Sequence, residues 1–96
     1  PIPGNELATA LSQVTLWPNP AGDEVSVSFE SGADGIVEYA FINFLGKTML
    51  RDKISITKGI NTARVDASVL ANGAYLLQLK TASQIYTRSV VILRNE

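Results

Sequence analysis

Cysteine and histidine are both absent from this chain of 96 residues, and each absence removes a class of chemistry. Without cysteine there are no disulfide staples and no thiolate metal sites, and the redox compartment leaves no mark on the sequence. Without histidine there is no Ser-His-Asp triad and no imidazole ligand, so catalysis would have to rest on carboxylate, Lys or Tyr groups. Charge of either sign is sparse: 8 Lys+Arg face 9 Asp+Glu, for a net charge of -1. The basic residues are scattered from Lys47 to Arg94, without the stripe that neutralises phosphates, which argues against nucleic acid. No apolar run approaches the roughly 20 residues needed to cross a bilayer, so bilayer insertion is not expected. Pro1 to Ser12 has neither the basic start nor the apolar stretch of a signal peptide, so any export address must lie elsewhere. A first residue of Pro rather than Met points to a piece of a longer chain with its missing part upstream.

What is present is a single small domain's worth of core, with 46% hydrophobic residues in short runs between turn formers. Pro1 to Ala10 has no sustained period and reads as a linker, with a short helix over Glu6 to Leu11 left open. From Gln13, residues Val14, Leu16 and Trp17 form a first short strand. Pro18 and Pro20 close it, because each fixes φ and removes a backbone donor. Asn19 before Pro20 is biased toward an extended conformation, and Ala21-Gly22-Asp23 offers a tight reversal.

Glu24 to Phe29 alternates with a period of two, placing Val25, Val27 and Phe29 on one face and Ser26 and Ser28 on the other. After a loop at Ser31 to Gly35, a strand over Ile36 to Phe44 puts Val37, Tyr39 and Phe41 on one face. Asn43-Phe44-Leu45-Gly46 is a hairpin turn, with Gly46 suited to positive φ. The alternation of Lys47 to Thr57 breaks near Asp52-Lys53, as expected of an edge strand with a bulge or a change of sheet. Lys58-Gly59 reverses the chain into a strand over Ile60 to Val65. Asp66 to Leu70 reads as a tight helical turn capped by Asp66, with Leu70 plugging one end of the core. Ala71-Asn72-Gly73 turns into Ala74 to Lys80, where Tyr75, Leu77 and Leu79 alternate, and a last hairpin at Thr81 to Gln84 leads into Ile85 to Leu93. About seven short strands with frequent turns predict an all-β, Ig-like antiparallel β-sandwich.

Three stretches, in this order and spacing, resemble the type A C-terminal sorting domain of the type IX secretion system of Bacteroidetes. Leu16-Trp17-Pro18-Asn19-Pro20-Ala21 is similar to that family's aromatic-Pro-Asn-Pro-Ala opening, with Trp where Tyr or Phe is more usual. Val37 to Lys47 is similar to its central strand and Asn-x-x-Gly-Lys turn, and Asp66 to Leu77 to its Leu-x-x-Gly-x-Tyr signature. Arg88 stands where the family usually has a basic residue, most often Lys, before its last strand.

The resemblance implies a linker from an upstream cargo domain over residues 1–12 and a sorting sandwich over 13–96. It implies a secretion signal without enzymatic activity or cofactor, taking its cargo across the outer membrane by way of the periplasm to the cell surface or medium. The implied partners are the translocon, a shuttle protein and a sortase that cuts in or near Pro1 to Ser12. The site residues carried over are Pro18, Asn19, Pro20, Asn43, Gly46, Lys47, Leu70, Gly73, Tyr75 and Arg88. Gly46, Gly73 and Tyr75 are expected to build the recognised fold, whereas Pro18, Asn19, Pro20 and Arg88 are expected at the surface. The rival reading is an Ig-like or fibronectin-like module binding carbohydrate or an adhesion partner. That role needs a row of exposed aromatics or a calcium loop, and neither is legible here.

Overall fold

The computed structural model describes residues 11–94. The expected linker over Pro1 to Ala10 and most of the helix left open over Glu6 to Leu11 lie outside these residues. Seven antiparallel strands follow one another: β1 (Leu11–Trp17), β2 (Glu24–Ser31), β3 (Gly35–Asn43), β4 (Thr48–Ile56), β5 (Gly59–Asp66), β6 (Gly73–Lys80) and β7 (Ile85–Ile92). They form two sheets in the orders β1-β2-β5 and β4-β3-β6-β7. The arrangement is an all-β sandwich, compatible with an Ig-like one.

The period-two pattern supplies the core. Val25, Val27 and Phe29 of β2 face Val37 and Phe41 of β3, Leu77 and Leu79 of β6, and Val90 and Ile92 of β7 across a dry interior. Each such side chain contributes about 1.5–3 kcal/mol by leaving water.

β1 starts at Leu11, two residues before the sequence pattern becomes regular, because its alternation is interrupted. Leu11 is buried, while Val14 and Leu16 pack against the core. The spacing of three between Leu11 and Val14 cannot put both on one face of a regular strand. Gln13 resolves this with a left-handed φ of 54°. Gln13 and Val14 together oppose the single residue Phe29, between the pairs Ser12–Glu30 and Thr15–Ser28. This is a β-bulge that returns Leu16 to the interior.

β4 is an edge strand, as its broken pattern implies, but the irregularity lies elsewhere than Asp52-Lys53. Those two residues pair regularly with Tyr39 and Glu38, and the register shifts at Met49, between the pairs Phe41–Leu50 and Ile42–Thr48. Asp52 interrupts the alternation because a carboxylate occupies an inward-facing position, in line with Leu50 and Ile54. On the opposite edge, Arg88 pairs with the buried Leu77 and so takes an inward-facing position of β7. Both edges of the four-stranded sheet thus carry one inward charge that reaches solvent, a device that discourages edge-to-edge pairing.

The expected helical turn at Asp66 to Leu70 is a single hydrogen-bonded turn, closed by Leu70 N–H donating to the Ala67 carbonyl (3.0 Å). The six residues between β5 and β6 make one such turn before the chain enters β6. Leu70 is nonetheless buried, as its apolar side chain requires.

Candidate functional site: the motif-bearing pole

Register places the three motif-bearing turns at one end of the sandwich. Asn43, the last residue of β3, pairs with Tyr75 near the start of β6. Gly73, the first residue of β6, pairs with Ile92 at the end of β7. Glu24 at the start of β2 pairs with Asp66 at the end of β5. The loop after Trp17, the turn after Asn43, the connection from Asp66 to Gly73 and the segment after Ile92 therefore converge on a single pole.

The Pro-Asn-Pro-Ala loop is held along the edge of β7. Proline has no N–H to offer a neighbouring strand, so other groups supply the bonds. The Asn19 side-chain oxygen accepts from Val91 N–H (3.1 Å). Ala21 N–H donates to the Val91 carbonyl (2.7 Å), and Leu93 N–H donates to the Ala21 carbonyl (2.8 Å). Ala21 is buried while Pro18, Asn19 and Pro20 are exposed, and both X–Pro bonds are cis. The side chain of Asn19 thus does structural work although the residue lies at the surface.

At the second turn the Asn43 carboxamide oxygen accepts from Leu45 N–H and Lys47 N–H, both at 2.9 Å. Gly46 N–H donates to the Asn43 carbonyl (2.9 Å), and Gly46 has a φ of 85°. A Cβ at Gly46 would meet nothing within 4 Å. Glycine is needed there for its backbone conformation alone. Lys47 is exposed, as are Phe44 and Leu45.

At the third turn Asp66 accepts from Ser68 N–H (2.9 Å). Hydrogen bonding from Ser68, first its hydroxyl and then its backbone N–H, holds the Asp66 carboxyl below the usual carboxylate range. Leu70 plugs the end of the core, and the Tyr75 hydroxyl donates to the Ala71 carbonyl (2.7 Å). The ring is buried and packs edge-to-face on Phe41 at a centroid distance of 6.5 Å. A tyrosine near a strand start that bonds backbone a few residues upstream is the tyrosine corner of sandwich folds.

Sequence reasoning missed the residue that ties these turns together, Arg94. Its guanidinium donates to the carbonyls of Gly22 (2.9 Å) and Leu70, and lies 3.5 Å from the Asp23 carboxylate. Its backbone N–H donates to the Asn72 side-chain oxygen (3.0 Å), and Asn72 Nδ2–H returns a bond to the Arg94 carbonyl (3.1 Å). Contacts across 22 and 72 residues leave no periodic trace. The one available signal was an Asn beside the turn glycine at position 73.

Arg88 does not join this pole. It lies within β7, the last strand among the described residues, rather than before it, and its guanidinium donates to the Thr87 carbonyl (3.0 Å). Tyr39 also lies away from the pole, with its phenol pushed above its ordinary value by burial and then by the charges of Asp52 and Asp66. Exposed aromatics form no row: Trp17 belongs to the three-stranded sheet and Phe44 to the turn of the other. Among the described residues no group of three acidic side chains is placed to hold a metal.

Fold and pole together define a small β-sandwich whose distinguishing surface is assembled from loops and the segment that follows β7. A family model described as a secretion system C-terminal sorting domain matches residues 15–93, and the chain belongs to that family. It is a C-terminal sorting signal for type IX secretion. The family is not an enzymatic one, and its members serve export to the cell surface or extracellular space. Its members act with the type IX secretion system on an attached cargo. Comparison with curated proteins found no match. Among solved structures, a β-glucosidase from Listeria innocua in complex with glucose aligns with 86% of this chain and 15% of its own, at a TM-score of 0.49 and 10% identity. This chain thus spans a small part of that protein's length.

Proposed function

We propose that the motif-bearing pole is the part of the domain that the secretion machinery reads, in the periplasm, while the cargo waits to cross the outer membrane. The observation that carries this reading is the convergence of the Pro-Asn-Pro-Ala, Asn-x-x-Gly-Lys and Leu-x-x-Gly-x-Tyr stretches on one end. Asn19, Asn43, Gly46, Leu70, Gly73 and Tyr75 set the backbone of the pole, and Pro18, Pro20 and Lys47 are the exposed groups a receptor would touch. Arg88 contributes a basic group on the edge of β7, at a distance from these turns along the strand.

A shuttle protein and a sortase complete the reading, the sortase separating the domain from its cargo and attaching the cargo to the cell surface. A protease needs an extended, accessible substrate. Leu11 and Ser12 are already paired with Ser31 and Glu30 in β1, which favours a cut upstream of Leu11. In this reading residues 1–10 connect cargo and domain, and the sandwich from Leu11 onward is the address.

The test is a reporter carrying a Sec signal at its front and the full chain at its end, expressed in a host with a type IX system. The reporter should reach the surface or medium. Pole variants Pro18→Ala with Lys47→Glu should lower export while the melting temperature stays within a few degrees of the parent. Periplasmic retention of a stably folded parent fusion would refute the reading.

A further inference from the structure

The two outer faces of the sandwich differ in chemistry. On the three-stranded sheet, pairing lines up Glu24 with Asp66, Ser26 with Arg64, Ser28 with Thr62 and Glu30 with Ile60. That face is hydroxyl-rich and carries three carboxylates against one guanidinium. On the four-stranded sheet the rows read Thr48, Ile42, Leu76, Ser89 near the pole and Lys53, Glu38, Lys80, Ile85 at the far end. Arg51, Ala40, Gln78 and Thr87 lie between them. This second face carries three cations against one carboxylate, with apolar groups at both ends: Ile42 and Leu76 near the pole, Ile36 and Ile85 at the far end.

There the surface is indented by a groove of about 360 Å³, walled by Ile42, Phe44, Ala74, Leu76 and Ser89. Asn43, Gly46 and Tyr75 also border it, so three of the motif residues shape its rim. Leu76 is 45% exposed and Phe44 87% exposed, although nothing in the fold requires apolar groups at either place. A solvated sheet face normally alternates to polar residues. An exposed apolar patch beside a polar rim is the usual mark of an interaction surface.

Resting on the sorting reading above, we infer that the outer face of β4-β3-β6-β7 is a docking surface for a receptor protein. The partner presents an aliphatic or aromatic projection to the groove and carboxylates to Arg51, Lys53 and Lys80. The charge distribution selects this occupant: Arg51 lies one row from the groove and Lys53 and Lys80 lie farther along the same face, an excess of cations that repels a basic partner and attracts an acidic one. A second copy of the chain matches less well. Its acidic face does expose Trp17 and Ile60 among the hydroxyls and carboxylates, but seating that face on the next copy's groove is a head-to-tail contact that leaves one groove of every open assembly empty.

The experiment uses the reporter fusion with the full chain and three sets of substitutions at exposed positions. Phe44→Ser with Leu76→Ser empties the groove wall and should lower export about tenfold or more, as loss of an anchoring contact does. Arg51→Glu, Lys53→Glu and Lys80→Glu together should lower export to a similar degree. Ile60→Ser with Arg64→Glu, on the opposite face, should leave it unchanged. Thermal melts establish that each variant folds, and a groove variant that unfolds is replaced by Leu76→Gln.

Parental export by folded groove and charge variants overturns the inference while leaving the sorting reading intact. Failure of the parent fusion itself to leave the periplasm overturns both. Sedimentation of the purified chain supplies the remaining arm: a dimer that Phe44→Ser with Leu76→Ser dissolves would assign the face to a second copy and overturn the proposal. A monomer in which the first two sets lose export and the third does not supports it.

Discussion

Replacing Arg94 with alanine should destabilise the domain more than its place at the end of the described chain suggests. The guanidinium side chain is 20% exposed, and it satisfies the carbonyls of Gly22 and Leu70 from two different connections. Hydrogen bonds from a charged donor contribute about 1.5–3 kcal/mol each, but water admitted by the truncation will recover part of that. The ion pair adds little, because the Asp23 side chain is 70% exposed and pairs of that kind are worth about 0–1 kcal/mol. A net loss of about 2 kcal/mol follows, which for a domain of this size lowers the melting temperature by about 8–16 °C. The substitution leaves the backbone of residue 94 in place, so both Asn72 bonds survive. Asn72→Ala removes those bonds instead, and because the two residues share one hydrogen-bond network the double variant should depart from the sum of the two single losses. Arg94→Lys should recover about half the loss, since an ammonium is a point donor without the fork that reaches two carbonyls. Urea and thermal unfolding measure the parent and each variant. An Arg94→Ala domain within about 0.5 kcal/mol of the parent would refute the argument, and so would an equal effect of Asp23→Ala.

Tyr75→Phe keeps the ring on Phe41 and removes only the bond to the Ala71 carbonyl, so urea unfolding should show a loss of about 1 kcal/mol. Gly46→Ala should cost about 1 kcal/mol through backbone strain alone, since the space around its Cβ is open, and Gly46→Asn should cost less. The lowered Asp66 carboxyl means that the fold favours the ionised form; its contribution is present above about pH 4 and fades as the pH falls through the lowered value. Asp66→Asn should flatten that limb of the stability profile, and an unchanged profile would contradict the assignment. Arg88→Ala should leave the melting temperature almost unchanged but raise the tendency to associate through the β7 edge, read by light scattering at increasing concentration.

The strands were legible because burial enforces period two. Val25, Val27 and Phe29, or Tyr75, Leu77 and Leu79, declare their inward face without any help from the rest of the chain. The turn at Asn43 to Gly46 was legible for a local reason as well, since Asn and Gly answer backbone needs within four residues. The Tyr75 hydroxyl likewise finds its acceptor, the Ala71 carbonyl, within four residues. What escaped was long-range or tolerant of sequence. The Gln13 bulge has no glycine to announce it, and only the odd spacing of Leu11 and Val14 betrays it. Asp52 broke a pattern visibly, but an inward charge on an edge strand and a bulge leave the same trace in one dimension. The bulge itself sits at Met49, where apolar and polar neighbours disguise it. Arg94 reads as one more scattered cation until Gly22 and Leu70 are folded against it.

On the proposed reading, a signal carried by the pole needs a whole folded domain rather than a short peptide. Its backbone groups come from segments as far apart as Asn19 and Val91, or Gly22 and Arg94, and each bond exists only after the two sheets have closed. In an unfolded chain the same residues present separate short stretches, each similar to countless others. A receptor reading the composite surface therefore reads completion of folding along with identity. Any substitution that weakens the closure of β7 against the Pro-Asn-Pro-Ala loop should lower recognition in proportion to the fraction unfolded, even where it touches no receptor. Asn19→Ala separates the two contributions. It removes the acceptor of Val91 N–H but leaves Pro18, Pro20 and the Ala21 bonds in place. If export tracks the folded fraction measured by urea unfolding, the Asn19 side chain serves the fold; if export falls further than stability does, the exposed amide is itself being read.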